Sequence, residues 1–144
     1  MQSHVTKEKP LLNKRILIVE DDHFISRVYS KWLTAAGAEV ATANDGAQCL
    51  KMLDDAAFDI VLLDLGMPGM NGYDTLLELR KRPALAQLPV IVLSNTTMKE
   101  NKEGFEDIRQ AGVRDVLRKY ETSLAEIVQC IESYFPKDHL ATNL

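Results

Sequence analysis

The chain has 144 residues, 46% of them hydrophobic, enough to bury one sizeable core and too few for two comfortable ones. Its 17 Lys and Arg against 21 Asp and Glu give a formal net charge of -4, which argues against a general nucleic-acid binder with its basic excess. No apolar run approaches membrane-span length, and the opening MQSHVTKEKP lacks the apolar stretch of a signal peptide, so a cytoplasmic protein without a membrane partner is expected.

Residues 1–13 are polar, aperiodic and contain Pro10, and are expected to form a flexible arm. Arg15 to Glu20 is a continuous apolar run, the pattern of a strand buried on both faces of a parallel sheet. Ile25, Val28, Tyr29, Trp32, Leu33 and Ala36 then recur at three and four residues and predict one helical face, closed by Gly37. Ala38 to Ala43 is a weaker strand, and Asp45 to Ala56 places Leu50 and Leu53 on a helical stripe.

Asp59 to Asp64 is the clearest strand, followed by the loop LGMPGMNG and a helix marked by Tyr73, Leu76, Leu77 and Arg80 that stops before Pro83. The basic run Arg80-Lys81-Arg82 ends that helix, where it complements the helix dipole. Pro89 to Ser94 is a fourth strand. A polar helix is predicted from about Met98 to Ala111, and Asp115 to Lys119 is a fifth strand. Ser123 and Glu126 make a capping box for a last helix carrying Leu124, Ile127, Val128, Ile131 and Phe135, which ends by Pro136 and leaves 137–144 as a tail. Cys49 and Cys130 show no metal or redox spacing and are expected to be reduced structural thiols.

Five β/α alternations imply a parallel sheet covered by helices on both sides, with functional groups beyond the carboxyl ends of the strands. Glu20, Asp21, Asp22, Asp64, Ser94, Asn95 and Lys119 all fall at such ends. If strands one and three are neighbours, the carboxylates converge, and like charges so packed call for a cation. Mg²⁺ suits the hard oxygen donors of Asp21, Asp64, Glu20 through water, and the main-chain carbonyl of Gly66. Lys119, Ser94 and the backbone N–H groups of Gly66 and Asn95 would then hold an anion attached to Asp64.

The strings ILIVEDD and VLLDLGMPGMNG, the pair Ser94-Asn95 after PVIVL, and Lys119 after AGVRDVLR resemble the receiver domains of response regulators over about residues 14–136. The resemblance implies an α/β flavodoxin-like (βα)5 fold with strand order 2-1-3-4-5. It also implies that Asp64 accepts a phosphoryl group from a sensor histidine kinase or histidine phosphotransfer protein, with Mg²⁺, switching a protein-binding surface. Such a protein is not a turnover enzyme. Helix one, with Phe24, Ile25 and Arg27, would lie in the kinase-docking region. Helix four, strand five and helix five would form the output face, so Glu100 to Gln110 is a candidate partner or homodimer surface.

The chain departs from the family pattern twice: Tyr120 stands where the family usually has Pro after the lysine, and Val116 where it often has an aromatic switch residue. A trans bond and a different path after strand five are expected at Tyr120. The alternative is a pseudo-receiver that signals without phosphorylation. An Asp-nucleophile phosphatase would need a second Asp in D-x-D, where this chain has Gly66, and no P-loop or dinucleotide glycine motif occurs.

Overall fold

The computed structural model describes residues 9–66, 72–95 and 102–136. In chain order the elements are β1 (Arg15–Val19), α1 (His23–Ala35), β2 (Glu39–Ala43), α2 (Gly46–Asp55), β3 (Ile60–Asp64), α3 (Gly72–Arg80), a 3₁₀ turn (Pro83–Leu85), β4 (Val90–Ser94), α4 (Lys102–Gln110), β5 (Asp115–Arg118) and α5 (Leu124–Glu132). The five strands are parallel in the order β2-β1-β3-β4-β5, the flavodoxin-like order expected. β1, β3 and β4 are central and almost wholly buried, which is why they read as unbroken apolar runs, while edge strand β5 is half-buried throughout.

Alternation along the strands splits the core in two. Leu17, Val19, Val61, Leu63, Val90 and Val92 pack with α2 and α3 residues such as Leu53, Leu76 and Leu79 and with Ile108 of α4. Ile16, Ile18, Ile60, Leu62, Ile91 and Leu93 pack on the other face with Tyr29 and Leu33 of α1 and Ile127 and Ile131 of α5. Caps offered by the sequence form at α1 and α5, although α5 ends at Glu132, short of Phe135. Asp22 caps α1 by accepting from the amides of Phe24 (2.9 Å) and Ile25 (3.1 Å). The α5 capping box is formed in both directions, with Glu126 N to Ser123 Oγ at 3.1 Å and Ser123 N to Glu126 Oε1 at 2.8 Å.

Three sequence expectations are corrected. The arm is not loose as far as residue 13: Leu11 is fully buried in the α1/α5 half of the core, its amide donates to Ala36 O (2.9 Å), and Asn13 N donates to Gly37 O (3.2 Å). Residues 1–8 and the tail 137–144 lie outside the described residues. On α1 the buried face is Ser26, Tyr29 and Leu33, continuing to Ala36, whereas Trp32 is 48% exposed. The large ring sits at the boundary of the stripe, while the small Ser26 is buried. Leu77 of α3 is likewise exposed rather than part of the core.

The basic run after α3 does more than offset a dipole. Arg80 donates to the carbonyls of Ala111 (2.8 Å), Leu85 (2.9 Å) and Leu88 (2.7 Å), tying α3 to the 3₁₀ turn and to the end of α4. Arg82 grips both Asp54 carboxylate oxygens (2.8 and 3.2 Å). Both cysteines are free, and burial pushes the thiols up, Cys49 to about 12 and Cys130 to about 11, consistent with inert structural thiols.

Candidate functional site

Register explains why the expected residues meet. Val19 pairs with Leu63, so the next residues, Glu20 and Asp64, stand side by side at the ends of the two central strands. Asp64 pairs with Leu93 and Ser94 with Arg118, which places Ser94 and then Lys119 on the same rim. The Lys119 amide donates to Ser94 O (2.9 Å), fixing the end of β5 to the end of β4. Lys119, Glu20 and Asp64 follow the α1/α5-facing residues Leu117, Ile18 and Leu62 by two, so their side chains share one side of the sheet.

The centre of the site is a buried cation between two buried carboxylates. Lys119 Nζ lies 2.9 Å from Glu20 Oε1 and 3.3 Å from Asp64 Oδ2, and all three side chains are at most 6% exposed. Burial pushes Glu20 up to about 7, the Asp64 charge adds to this, and the Lys119 contact opposes it. For Lys119 burial works against the charged form, but Glu20 and Asp64 outweigh it and hold the ammonium above its ordinary range. The lysine is therefore a fixed positive charge.

The remaining contacts shape the pit. Gly66 N donates to Asp64 Oδ1 (3.0 Å), and Asp22 N donates to Glu20 Oε2 (3.2 Å). Asp22, left aside as a ligand in the sequence reading, serves as the α1 cap. Gly72 is required for close approach, because a Cβ there would collide with Asp64 O and the Leu65 Cα. Ser94 is buried at the end of β4, while Asn95 is an exposed bend residue. Residues 67–71 and 96–101, including part of the expected output surface, lie outside the described residues.

One carboxylate oxygen each from Glu20, Asp21 and Asp64 falls within 4.8 Å of the others, with Asp21 exposed and the other two buried. Glu20 Oε1 is buried and makes no aligned hydrogen bond, although the Lys119 ammonium approaches it. An all-oxygen set of three clustered carboxylates fits a hard divalent cation. Glu20, Asp21 and Asp64, expected from the sequence to converge, do lie together.

These features are those of a known family. Residues 16–132 match the model of the response regulator receiver domain. The chain belongs to the response regulator receiver family. The chain is 37% identical over 111 residues to the Regulator of RpoS of Escherichia coli, covering 77% of this chain and 32% of that protein. It is 44% identical over 80 residues to the transcriptional regulatory protein CpxR of Klebsiella pneumoniae, covering 56% of this chain and 33% of that one. The receiver thus spans about a third of the length of these relatives. Among solved structures, chemotaxis protein CheY4 of Vibrio cholerae superposes with a TM-score of 0.77 at 26% identity, over 84% of this chain and 98% of that one.

Around the receiver's pit, Phe24 is 67% exposed, Ile25 half-buried and Arg27 exposed, which separates the core and surface roles of α1 that sequence left mixed. On β5, Val116 is half-buried and packs with the α2/α3/α4 half of the core. Of α4, Phe105 and Ile108 face inward while Glu106, Asp107, Arg109 and Gln110 face solvent. Tyr120 is joined by a trans peptide as expected and is 73% exposed, with φ at 69°. A left-handed conformation costs a residue with a Cβ about 1–2 kcal/mol. Sequence reasoning missed Tyr29, whose buried phenol meets the charges of Lys119, Glu20 and Asp64 and is pushed up chiefly by burial. At a helical core position nothing in the pattern distinguishes it from a Leu.

Proposed function

We propose that this receiver is a phosphoacceptor switch: Asp64 takes a phosphoryl group from a phosphohistidine on a sensor histidine kinase or histidine phosphotransfer protein, with Mg²⁺, and the change alters a protein-binding surface. The observation that carries this reading is the Lys119 ammonium held between Glu20 and Asp64. In this scheme an Asp64 carboxylate oxygen attacks phosphorus in line as the imidazole leaves. Lys119 exchanges its Asp64 contact for a phosphoryl oxygen, and the Ser94 hydroxyl and the amides of Gly66 and Asn95 donate hydrogen bonds to the other phosphoryl oxygens. Glu20, Asp21, Asp64 and the Gly66 carbonyl would hold Mg²⁺, which supplies neutralisation of charge on the transferring group. Water later cleaves the aspartyl phosphate.

The protein acts on itself rather than as a turnover enzyme and works in the cytoplasm. Its target binds the face of α4, β5 and α5, where a second copy could also pair. The pseudo-receiver reading is weaker, because Glu20, Asp21, Asp64 and Lys119 cluster as a phosphoacceptor site would need. Incubation with acetyl phosphate or phosphoramidate and Mg²⁺, followed by intact mass, tests it. The wild type should gain one phosphoryl group, and Asp64→Asn none. An unmodified wild type, or labelling that persists in Asp64→Asn, would overturn the reading.

A further inference from the structure

Four described residues have positive φ: Gly37, Gly112, Asn13 and Tyr120. Glycine and asparagine are the residues that adopt this conformation readily, whereas a bulky aromatic there is an outlier. Tyr120 recovers nothing for it by burial, since 73% of the residue faces solvent. A costly backbone and an exposed ring at one position are the marks of a residue kept for function.

The neighbourhood says which function. Tyr120 directly follows Lys119, and its ring centroid lies 5.7 Å from the Lys119 Nζ that bridges Glu20 and Asp64, within cation–π range. The chain turns at once, with Glu121 N and Thr122 N both donating to Arg118 O (3.3 and 3.1 Å), so the left-handed residue brings the ring back beside the ammonium instead of carrying it away along the strand. The exposed ring thus stands between the Lys119 ammonium and solvent on that side of the site.

We propose that Tyr120 is a positioning residue that holds Lys119 on the phosphoryl group and screens the aspartyl phosphate from water, lengthening the life of the phosphorylated state. This rests on the phosphoacceptor reading. The step it slows is hydrolysis: a water oxygen bonds to phosphorus as the bond from phosphorus to the Asp64 oxygen breaks. Asp64 leaves as a carboxylate, and inorganic phosphate carries the rest, the surplus proton going to solvent.

The test follows decay of the phosphorylated protein by intact mass after removal of acetyl phosphate, in wild type, Tyr120→Phe and Tyr120→Gly, with Mg²⁺ throughout. Partial loss of water exclusion predicts that Tyr120→Gly decays about threefold faster or more. Tyr120→Phe, which keeps the ring, should match the wild type. Tyr120→Gly should melt no lower than wild type, because glycine relieves the left-handed strain, so faster decay cannot be ascribed to unfolding. Equal lifetimes for Tyr120→Gly and wild type would overturn the proposal. So would a Tyr120→Phe lifetime as short as that of Tyr120→Gly, or a lowered melting temperature that accounts for the change. A wild type that never gains the phosphoryl group refutes the phosphoacceptor reading itself and this inference with it.

Discussion

Replacing Lys119 with Met keeps the length of the side chain and removes the charge that two buried carboxylates share. At an effective dielectric constant of about 20, contacts of 2.9 and 3.3 Å correspond to gross attractions of about 6 and about 5 kcal/mol. Desolvation of the three groups offsets most of this, and breaking a buried pair typically costs about 3–5 kcal/mol because an uncompensated charge stays behind. The cost should depend on pH in a definite direction. Glu20 already titrates near about 7 with the lysine in place, so without it the carboxyl titrates higher still. A carboxyl whose folded value is raised stabilises the fold when protonated, and that contribution is lost as pH rises through the folded value.

The penalty in Lys119→Met should therefore be largest well above pH 7 and shrink as the variant's Glu20 takes up a proton on the way down to about 7. Urea unfolding in metal-free buffer at about pH 9 and about pH 6.5 measures it, with a loss of about 3 kcal/mol or more expected at the higher pH. A loss under about 1 kcal/mol there, or one that does not change between the two, would refute the account of a charge-bridging lysine.

Leu11→Ala should cost about 2–5 kcal/mol in unfolding free energy, the usual range for a buried leucine, although the residue sits in what sequence assigned to an arm. Arg80→Ala strips donors from three carbonyls and should lower stability by about 3 kcal/mol, with faster amide exchange near Ala111 and Leu88. Tyr134→Phe deletes the 2.6 Å hydrogen bond to Asp115. Burial raises the Asp115 carboxyl, but Tyr134 and Arg114 outweigh it and hold it below its ordinary value, a contribution present above the unfolded value and lost as pH falls through the folded one. The variant should be weaker by about 1.5–3 kcal/mol near neutrality, with the gap closing as acid protonates Asp115.

All five strands and the rim residues were legible because both rest on local pattern. Buried parallel strands are continuous apolar runs, and Glu20, Asp64, Ser94 and Lys119 end them within a residue of the predicted limits. What escaped depends on contacts distant in sequence. Leu11 is buried by α1 and α5, which no window around Pro10 contains. Trp32 and Ser26 exchange roles because a helical stripe fixes a face only to within a residue. Arg80 looked like one of three equivalent cations, and only the arrival of Ala111 and Leu88 distinguishes it. Tyr29 was placed correctly as core, but its nearness to Lys119 follows from α1 packing across the strand ends.

The rim opposite the site has a consequence for how this molecule can evolve and be altered. There Arg15 binds Asp59 (2.7 Å, through its amide) and Ala57 O (2.8 Å), Arg80 holds three carbonyls, and Arg114 stacks on Tyr134 at 3.7 Å while pairing with Asp115. These arginine contacts tie the amino ends of the strands together, while the crowded carboxylates and the left-handed tyrosine lie at the carboxyl ends. The two poles are separated by the full length of the sheet. Changes at the arginine pole should shift melting while sparing the acidic site, so a stabilised receiver is best engineered from the end away from Asp64.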